Sequence, residues 1–346
     1  MKAMILAAGL GTRLRPLTDE VSKPMVQLGG RPCIEHTVRL LRKHGIKEIM
    51  INLYYKPELI MNHFGDGEHF GIKIHYSVEK ELMGTAGGLK KVQQFFGDDP
   101  ILIISGDALT DLNLTDFYDF HKKKGGLASL ALKNVQDPRE FGVVQISQDD
   151  RITQFQEKPK DVTPISTKAN TGIYIFEPDI FSFIPSNTFY DFGKQVFPDL
   201  LMKGQSMFGY ETQAYWCDIG NIDVYKDVQF DILAGIVKVD IPGKKFENCI
   251  WLGRNIDIDP DTKIIGPVFI GEKSVIEKGA KIYGPTVIGN NSFVGSNSVI
   301  KRSILLEGAR VGNDALIADS ILGNDQHVQA RMICENRTIV NSSKKL

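Results

Sequence analysis

From the N-terminus to about residue 235, short apolar runs alternate with amphipathic stretches: AMILAA at 3–8, EIMINL at 48–53, IKIHYS at 72–77, ILIIS at 101–105 and LASLAL at 127–132. Strands separated by helices predict an α/β fold with a mostly parallel sheet covered on both faces. Pro32 followed by CIEHTVRLLRKHG reads as a helix with proline in its first turn, ended by Gly45. Sheets of this kind bind ligands beyond the carboxyl ends of their strands, so chemistry is expected in the loops after Ala8 and Ser105.

Past Gly243 the period becomes six. Ile258, Ile264, Ile270, Ile276, Ile282, Ile288, Val294 and Ile300 are all aliphatic, and most are preceded two positions earlier by a small residue such as Thr262, Ser274, Ala280 or Ser298. Aliphatics inside, small residues at tight corners and frequent turn residues predict hexapeptide repeats winding into a parallel β-helix. The phase slips after Ile300 and resumes at Val311 and Ile317, which predicts a loop near Ser303–Arg310 and a short helix of about three to four coils. The expected divisions are 1–235 for the first domain, a linker at 236–249, the β-helix at 250–335 and a tail at 336–346. Residues 221–240 are expected to be helical, and the terminal NSSKKL to fray. Ile250, Trp251, Val268 and Phe269, near the start of the repeats, suggest packing against the first domain or a second chain.

Composition narrows the class. Apolar residues at 42% and charged residues at 24% are ordinary for a globular protein and exclude a fibrous or disordered chain. Lys plus Arg (41) balances Asp plus Glu (42), so no global field draws the chain to nucleic acid or to an anionic membrane. Any phosphate is bound locally. Four scattered cysteines without a CxxC pair fit a reducing compartment, and no apolar run reaches the roughly 20 residues that cross a bilayer. A cytoplasmic protein with no membrane or nucleic-acid partner is expected.

Candidate chemistry starts at GLGTRLRPLT, just after the first predicted strand, where Gly9 and Gly11 allow backbone amides to approach an anion. The segment lacks the lysine of a Walker loop and the third glycine of the dinucleotide fingerprint. Arg13, Arg15 and Lys23 follow closely, although a turn with three cations is by itself as consistent with a solvated surface. Asp107 ends ILIIS and Asp218 follows YWC; together they offer two hard oxygen ligands of the kind Mg²⁺ takes, while each alone reads as a turn or a helix cap. Lys158 lies in a stiff turn between Glu157 and Pro159, where its ammonium suits a phosphate.

GLGTRLRPLTDEVSKPM strongly resembles the signature of the sugar-1-phosphate nucleotidyltransferases. LMGTAGGL (82–89), SGDAL (105–109), FQEKP (155–159), NTGIY (170–174) and YWCDIG (215–220) resemble further motifs of that family, in family order over the first 220 residues or so. The resemblance implies a Rossmann-like nucleotidyltransferase sheet followed by a left-handed β-helix, and transfer of a nucleotidyl group from a nucleoside triphosphate to a sugar 1-phosphate. It implies nucleotide binding by Ala8, Gly9, Gly11, Thr12, Arg13, Lys23, Gly84, Thr85 and Ala86, with Arg13, Lys23 and Asp107 catalytic. Gly142, Glu157, Lys158, Asn170 and Thr171 are implied for the sugar phosphate, and Asp107 and Asp218 for Mg²⁺.

Within the family the chain is most similar to bacterial mannose-1-phosphate guanylyltransferase-like proteins, which implies mannose 1-phosphate and GTP. It departs at Ala7-Ala8-Gly9, where many guanylyltransferases carry Val-Gly-Gly and many uridylyl- and thymidylyltransferases match this chain; glucose 1-phosphate with UTP, dTTP or ATP is the alternative. A non-catalytic regulatory or assembly subunit is a second class, opposed by the intact Arg13, Lys23, Asp107, Lys158 and Asp218. An acyltransferase in the β-helix is a third, weakened by His327 being the one histidine beyond Gly243. Solenoid ends and faces call for burial, so a homodimer or homotetramer through the β-helix is expected.

Overall fold

The first apolar run is the middle of a nine-stranded sheet in the computed structural model, which describes residues 1–340. Strands β1 (Lys2–Ala7), β2 (Glu48–Leu53), β3 (Lys73–Val78) and β4 (Ile101–Ser105) lie in the order β4–β1–β2–β3, all parallel. Ala3, Met4, Ile5 and Ile101 to Ile104 are buried, as continuous apolar runs covered on both faces must be. The helices between the strands include α1 (Cys33–Lys43), α2 (Pro57–Phe64) and α3 (Gly84–Lys91). Gly45 follows α1 in the left-handed region, as the sequence predicts.

Beyond β4 the sheet changes character. It adds β5 (Ala128–Asn134), β6 (Gly142–Ile146), β7 (Ile152–Glu157), β8 (Lys168–Phe176) and β9 (Met207–Glu211). Strand β8 runs antiparallel to β4, β5 and β6, and β7 antiparallel to β6; only β9 on β5 is parallel. The short β6–β7 connection makes a hairpin and leaves no room for a crossover helix. The parallel half matters most for function, because the carboxyl ends of β4, β1, β2 and β3 stand in a row. Leu6 is opposite Ser105, Ala7 opposite Leu53, and Leu53 opposite Val78.

The chain divides into two compact units that cut across the expected boundary at 235. One holds Met1–Leu10 and Thr37–Trp216; the other holds Gly11–His36 and the chain from Cys217 on. What fastens 11–36 into the second unit is a helix, α4 (Ile222–Ala234), started by Asn221, whose side chain accepts from Val224 N–H. Its fully buried Gln229 accepts from Gly29 N–H (2.8 Å) and donates to the carbonyl of Gln27 (2.7 Å), which also accepts from Tyr225. Paired amide and carbonyl groups of this kind are what a buried glutamine requires.

The β-helix stacks its strands on three faces. One face runs Ile250–Leu252, Val268–Ile270, Thr286–Ile288, Ile304–Leu305, Ile321–Leu322 and Thr338–Ile339; each of the other two has five strands. Five coils and the start of a sixth therefore replace the expected three to four. The predicted loop at 303–310 is absent: coils shorten from eighteen residues (Val268 opposite Thr286) to seventeen (Ile304 opposite Ile321), so Leu305 takes the inward position the six-residue period gives to Leu306. Stacking continues past 335 through Thr338–Ile339, and within the expected linker Lys244–Phe246 pairs antiparallel with Ile250–Leu252. NSSKKL lies outside the described residues. Trp251, Val268 and Phe269 are buried, and Phe269 packs so closely on Gly30 that a Cβ there would stand 2.4 Å from its ring. These apolars are covered by their own unit and present little to a second chain.

Candidate active site

In the first unit, the row of strand ends opens into a cleft of about 270 Å³. Ala8 and Gly9 come from the end of β1 and Asp107 from the end of β4, while Gly84 and Thr85 start α3; all five sequence-derived residues line it. No atom lies within 4 Å of a Cβ built on Gly9, which leaves open space for a ligand against its backbone. Gly84 is different: its φ is +73°, and a Cβ would meet the carbonyl oxygen of Tyr190 at 2.4 Å, so only glycine fits. Ala86 departs from expectation. It is buried, and its N–H donates to that same Tyr190 carbonyl, as does Gly87 N–H, so neither amide faces a nucleotide.

Asp191 joins this cleft to the residues expected to hold a sugar phosphate. It lines the cleft, accepts from the Thr85 hydroxyl (3.0 Å) and caps residues 192–196 through Gly193 and Lys194 N–H. It also faces Glu157: burial chiefly raises the Glu157 carboxyl above its ordinary range, Lys158 lowers it, Asp191 raises it and Lys194 lowers it. Gly142 is paired with Glu157 across the β6–β7 hairpin, and a Cβ on it would stand 2.8 Å from Glu157 Oε2. Lys158 is exposed, with its backbone in the left-handed region (φ 44°) and its N–H on the Phe141 carbonyl (3.1 Å). Asn170 donates to the Tyr174 hydroxyl (2.9 Å) and accepts from Gly172 N–H. Thr171 is not brought to this group: it is buried, its hydroxyl donates to Ala131 (2.7 Å), and its carbonyl accepts from the Trp216 indole.

In the second unit Arg13, Lys23 and Asp218 meet. Lys23 Nζ lies 2.6 Å from Asp218 Oδ1 and Arg13 3.6 Å from Oδ2. Lys23 is 8% exposed, which a lysine tolerates only when paired. Gly11 is held left-handed, a Cβ there would stand 2.8 Å from that of Lys23, and its carbonyl accepts from Thr18 Oγ1. Thr12 begins a short 3-10 turn to Leu14. Beside Asp218, burial first and then the Asp218, Asp231 and Asp227 charges push the Cys217 thiol up to about 12, so it stays protonated and is no nucleophile.

Asp107 at a strand end is a hard oxygen donor in an open cleft, and Asp218 is a carboxylate whose charge two cations already balance. Among the described residues no three His, Cys, Asp or Glu gather as a metal cage. Mg²⁺ is commonly held by one or two carboxylates together with substrate phosphates, so a sparse donor set suits it. Phe189, Asp191, Asn52 and Glu79, which also line the cleft, went unnoticed in the sequence. Asn52 sits within an apolar run and Glu79 in a polar stretch, and neither pattern signals a wall of a cleft.

Comparison with known proteins agrees with these motifs. The model of the nucleotidyl transferase family matches residues 2–235, and that of the GMPPB C-terminal domain matches 264–345. A UTP–glucose-1-phosphate uridylyltransferase of Synechocystis is 39% identical, with 93% of this chain and 87% of that protein covered. A mannose-1-phosphate guanylyltransferase of Mycobacterium tuberculosis is 33% identical over 77% of this chain and 79% of its own length. The crystal structure of HddC from Yersinia pseudotuberculosis complexed with GMP-PN shares the fold at 24% identity and a TM-score of 0.58, covering 67% of this chain and 99% of that one.

Proposed function

Since the chain belongs to the nucleotidyl transferase family and is a sugar-1-phosphate nucleotidyltransferase, we propose that it joins mannose 1-phosphate to GTP, giving GDP-mannose and pyrophosphate. The observation that carries this pair is the likeness to proteins named mannose-1-phosphate guanylyltransferase, among them the one from Mycobacterium tuberculosis, 33% identical over 77% of this chain. The 39% identical Synechocystis uridylyltransferase supports a second reading, glucose 1-phosphate with UTP.

The reaction needs no protein nucleophile. A phosphate oxygen of the sugar 1-phosphate forms a bond to the α-phosphorus of the triphosphate while the bond to the bridging oxygen of pyrophosphate breaks. Its barrier falls through alignment of two anions and neutralisation of their charge. We assign Arg13 and Lys23 to the triphosphate; Lys23 is released from Asp218 when phosphate oxygens compete for its ammonium. Ala8, Gly9, Gly84 and Thr85 are assigned to the nucleotide, and Lys158, Glu157, Gly142 and Asn170 to the sugar phosphate. Asp107 and Asp218 are assigned to Mg²⁺, which when bound supplies charge neutralisation at phosphate oxygens. The β-helix is assigned to assembly, as a homodimer or homotetramer.

Pyrophosphate release across five nucleoside triphosphates and several sugar 1-phosphates, with Mg²⁺ present, tests this. GTP with mannose 1-phosphate is expected to give the highest kcat/KM. A higher value for UTP with glucose 1-phosphate replaces the first pair by the second, and turnover of no pair points to a regulatory subunit.

A further inference from the structure

Two buried polar side chains of the first cleft have no part in these assignments. Asn52 in β2 and Glu79 just after β3 are 3% and 4% exposed, yet both line the cleft with Ala8, Gly84 and Asp107. Their hydrogen bonds form one chain. Ala7 N–H donates to Asn52 Oδ1 (3.1 Å), Asn52 Nδ2 donates to Glu79 Oε1 (2.8 Å), and Met83 N–H donates to Glu79 Oε2 (3.0 Å). Gly88 in α3 closes against them: a Cβ there would stand 2.9 Å from Glu79 Oε1 and 3.0 Å from Asn52 Nδ2.

We propose that Asn52 and Glu79 are a positioning pair for nucleotidyl transfer, holding the turn after β1 and the loop before α3 at one separation so that Ala8, Gly9, Gly84 and Thr85 meet a single nucleotide. The inference rests on the nucleotidyltransferase reading. The chemistry of the chain fixes its direction. Both backbone groups can only donate and a carboxylate can only accept, so the middle member must accept on one side and donate on the other, as a side-chain amide does. Packing alone explains neither choice, since an apolar pair of similar shape fills the space without burying a charge. What the polar chain adds is a bond to each of two ligand-bearing loops.

Reversing that direction tests it. Asn52→Asp sets two carboxylates at hydrogen-bond distance and breaks the chain unless one is protonated. Its kcat/KM for nucleotide is expected to fall about tenfold or more at pH 8 and to recover toward wild type as the pH falls to 6, because a shared proton restores the donor. The double variant Asn52→Asp/Glu79→Gln restores all three bonds with reversed polarity: the new carboxylate accepts from Ala7 and from the new amide, whose oxygen accepts from Met83. It is expected to turn over within about threefold of wild type, with the wild-type pH profile. A wild-type profile in Asn52→Asp, or a double variant no better than the single one, overturns the pair; the latter result would mean that the Glu79 charge itself serves the ligand.

Hydrogen exchange in the ligand-free protein gives a reading independent of turnover. The Met83 amide is expected to be protected in wild type and in the double variant, and to exchange fast in Glu79→Ala; fast exchange in wild type overturns the pair. If wild type turns over no substrate pair, nucleotidyl transfer fails as the reading, while the Met83 amide still decides whether the pair holds the loop.

Discussion

Asp107 and Lys158 illustrate how a single side chain is tied to one step of the chemistry. Asp107 lines the cleft at the end of β4, so Asp107→Asn is expected to leave the fold intact and to lower kcat by about 10²–10³, the scale seen when one electrostatic group is removed from a transition state. Steady-state rates at ordinary Mg²⁺ check this; a wild-type kcat removes Asp107 from catalysis. Lys158→Ala is expected to weaken sugar 1-phosphate binding and to spare nucleotide binding, as calorimetry on each substrate alone can show. Glu157 gives a pH dependence. Its folded pKa is raised, chiefly by burial, so ionisation costs stability above that pKa and nothing below the unfolded value. Glu157→Gln is therefore expected to raise the unfolding temperature at pH 7, to make no difference near pH 4, and to impair sugar-phosphate binding; an unchanged unfolding temperature at pH 7 contradicts the burial argument.

At the scale of elements, α3 is set by its first residue. Gly84 needs a left-handed backbone, and its missing side chain lets the Tyr190 carbonyl approach and accept from two amides of the first turn. Gly84→Ala adds a Cβ in a conformation it resists and against a backbone oxygen that cannot yield. A loss of about 1–3 kcal/mol is expected in denaturant unfolding, together with weaker nucleotide binding. An alanine variant as stable as wild type would show that the loop relaxes freely. In the β-helix, a coil shortened by one residue preserves the inward aliphatic row because Leu305 and Leu306 are adjacent and either can fill the slot. The phase slip was legible in the sequence as an irregularity, but a repeat one residue short and a small loop leave the same mark in a hydrophobic pattern.

On the scale of the molecule, the signature segment 11–36 is built into the unit that contains the β-helix, through Gln229 on Gln27 and Gly29 and through Phe269 on Gly30. Ending the chain before Pro242 uncovers Gly30 and leaves α4 without the coils below it. The shortened protein is expected to lose at least about tenfold in kcat/KM or to fail to fold, since removing one buried aromatic side chain such as that of Phe269 costs roughly 3–5 kcal/mol. Full turnover in the fragment shows instead that the coils serve assembly alone, a role that light scattering on both forms can measure. The sequence by itself determined the strands of the parallel half, the repeat domain, and most of the groups that meet in the sites, because periodicity and glycine placement are local and the motifs stand in contiguous segments. Tertiary structure alone decided that Asp218 neutralises Lys23 and Arg13, that Thr171 and Ala86 turn away, and that Asn52, Glu79 and Asp191 wall the cleft. Those outcomes depend on which strand ends become neighbours and which amides find carbonyls, pairings between residues as distant as Lys23 and Asp218, 195 positions apart, that no local pattern records.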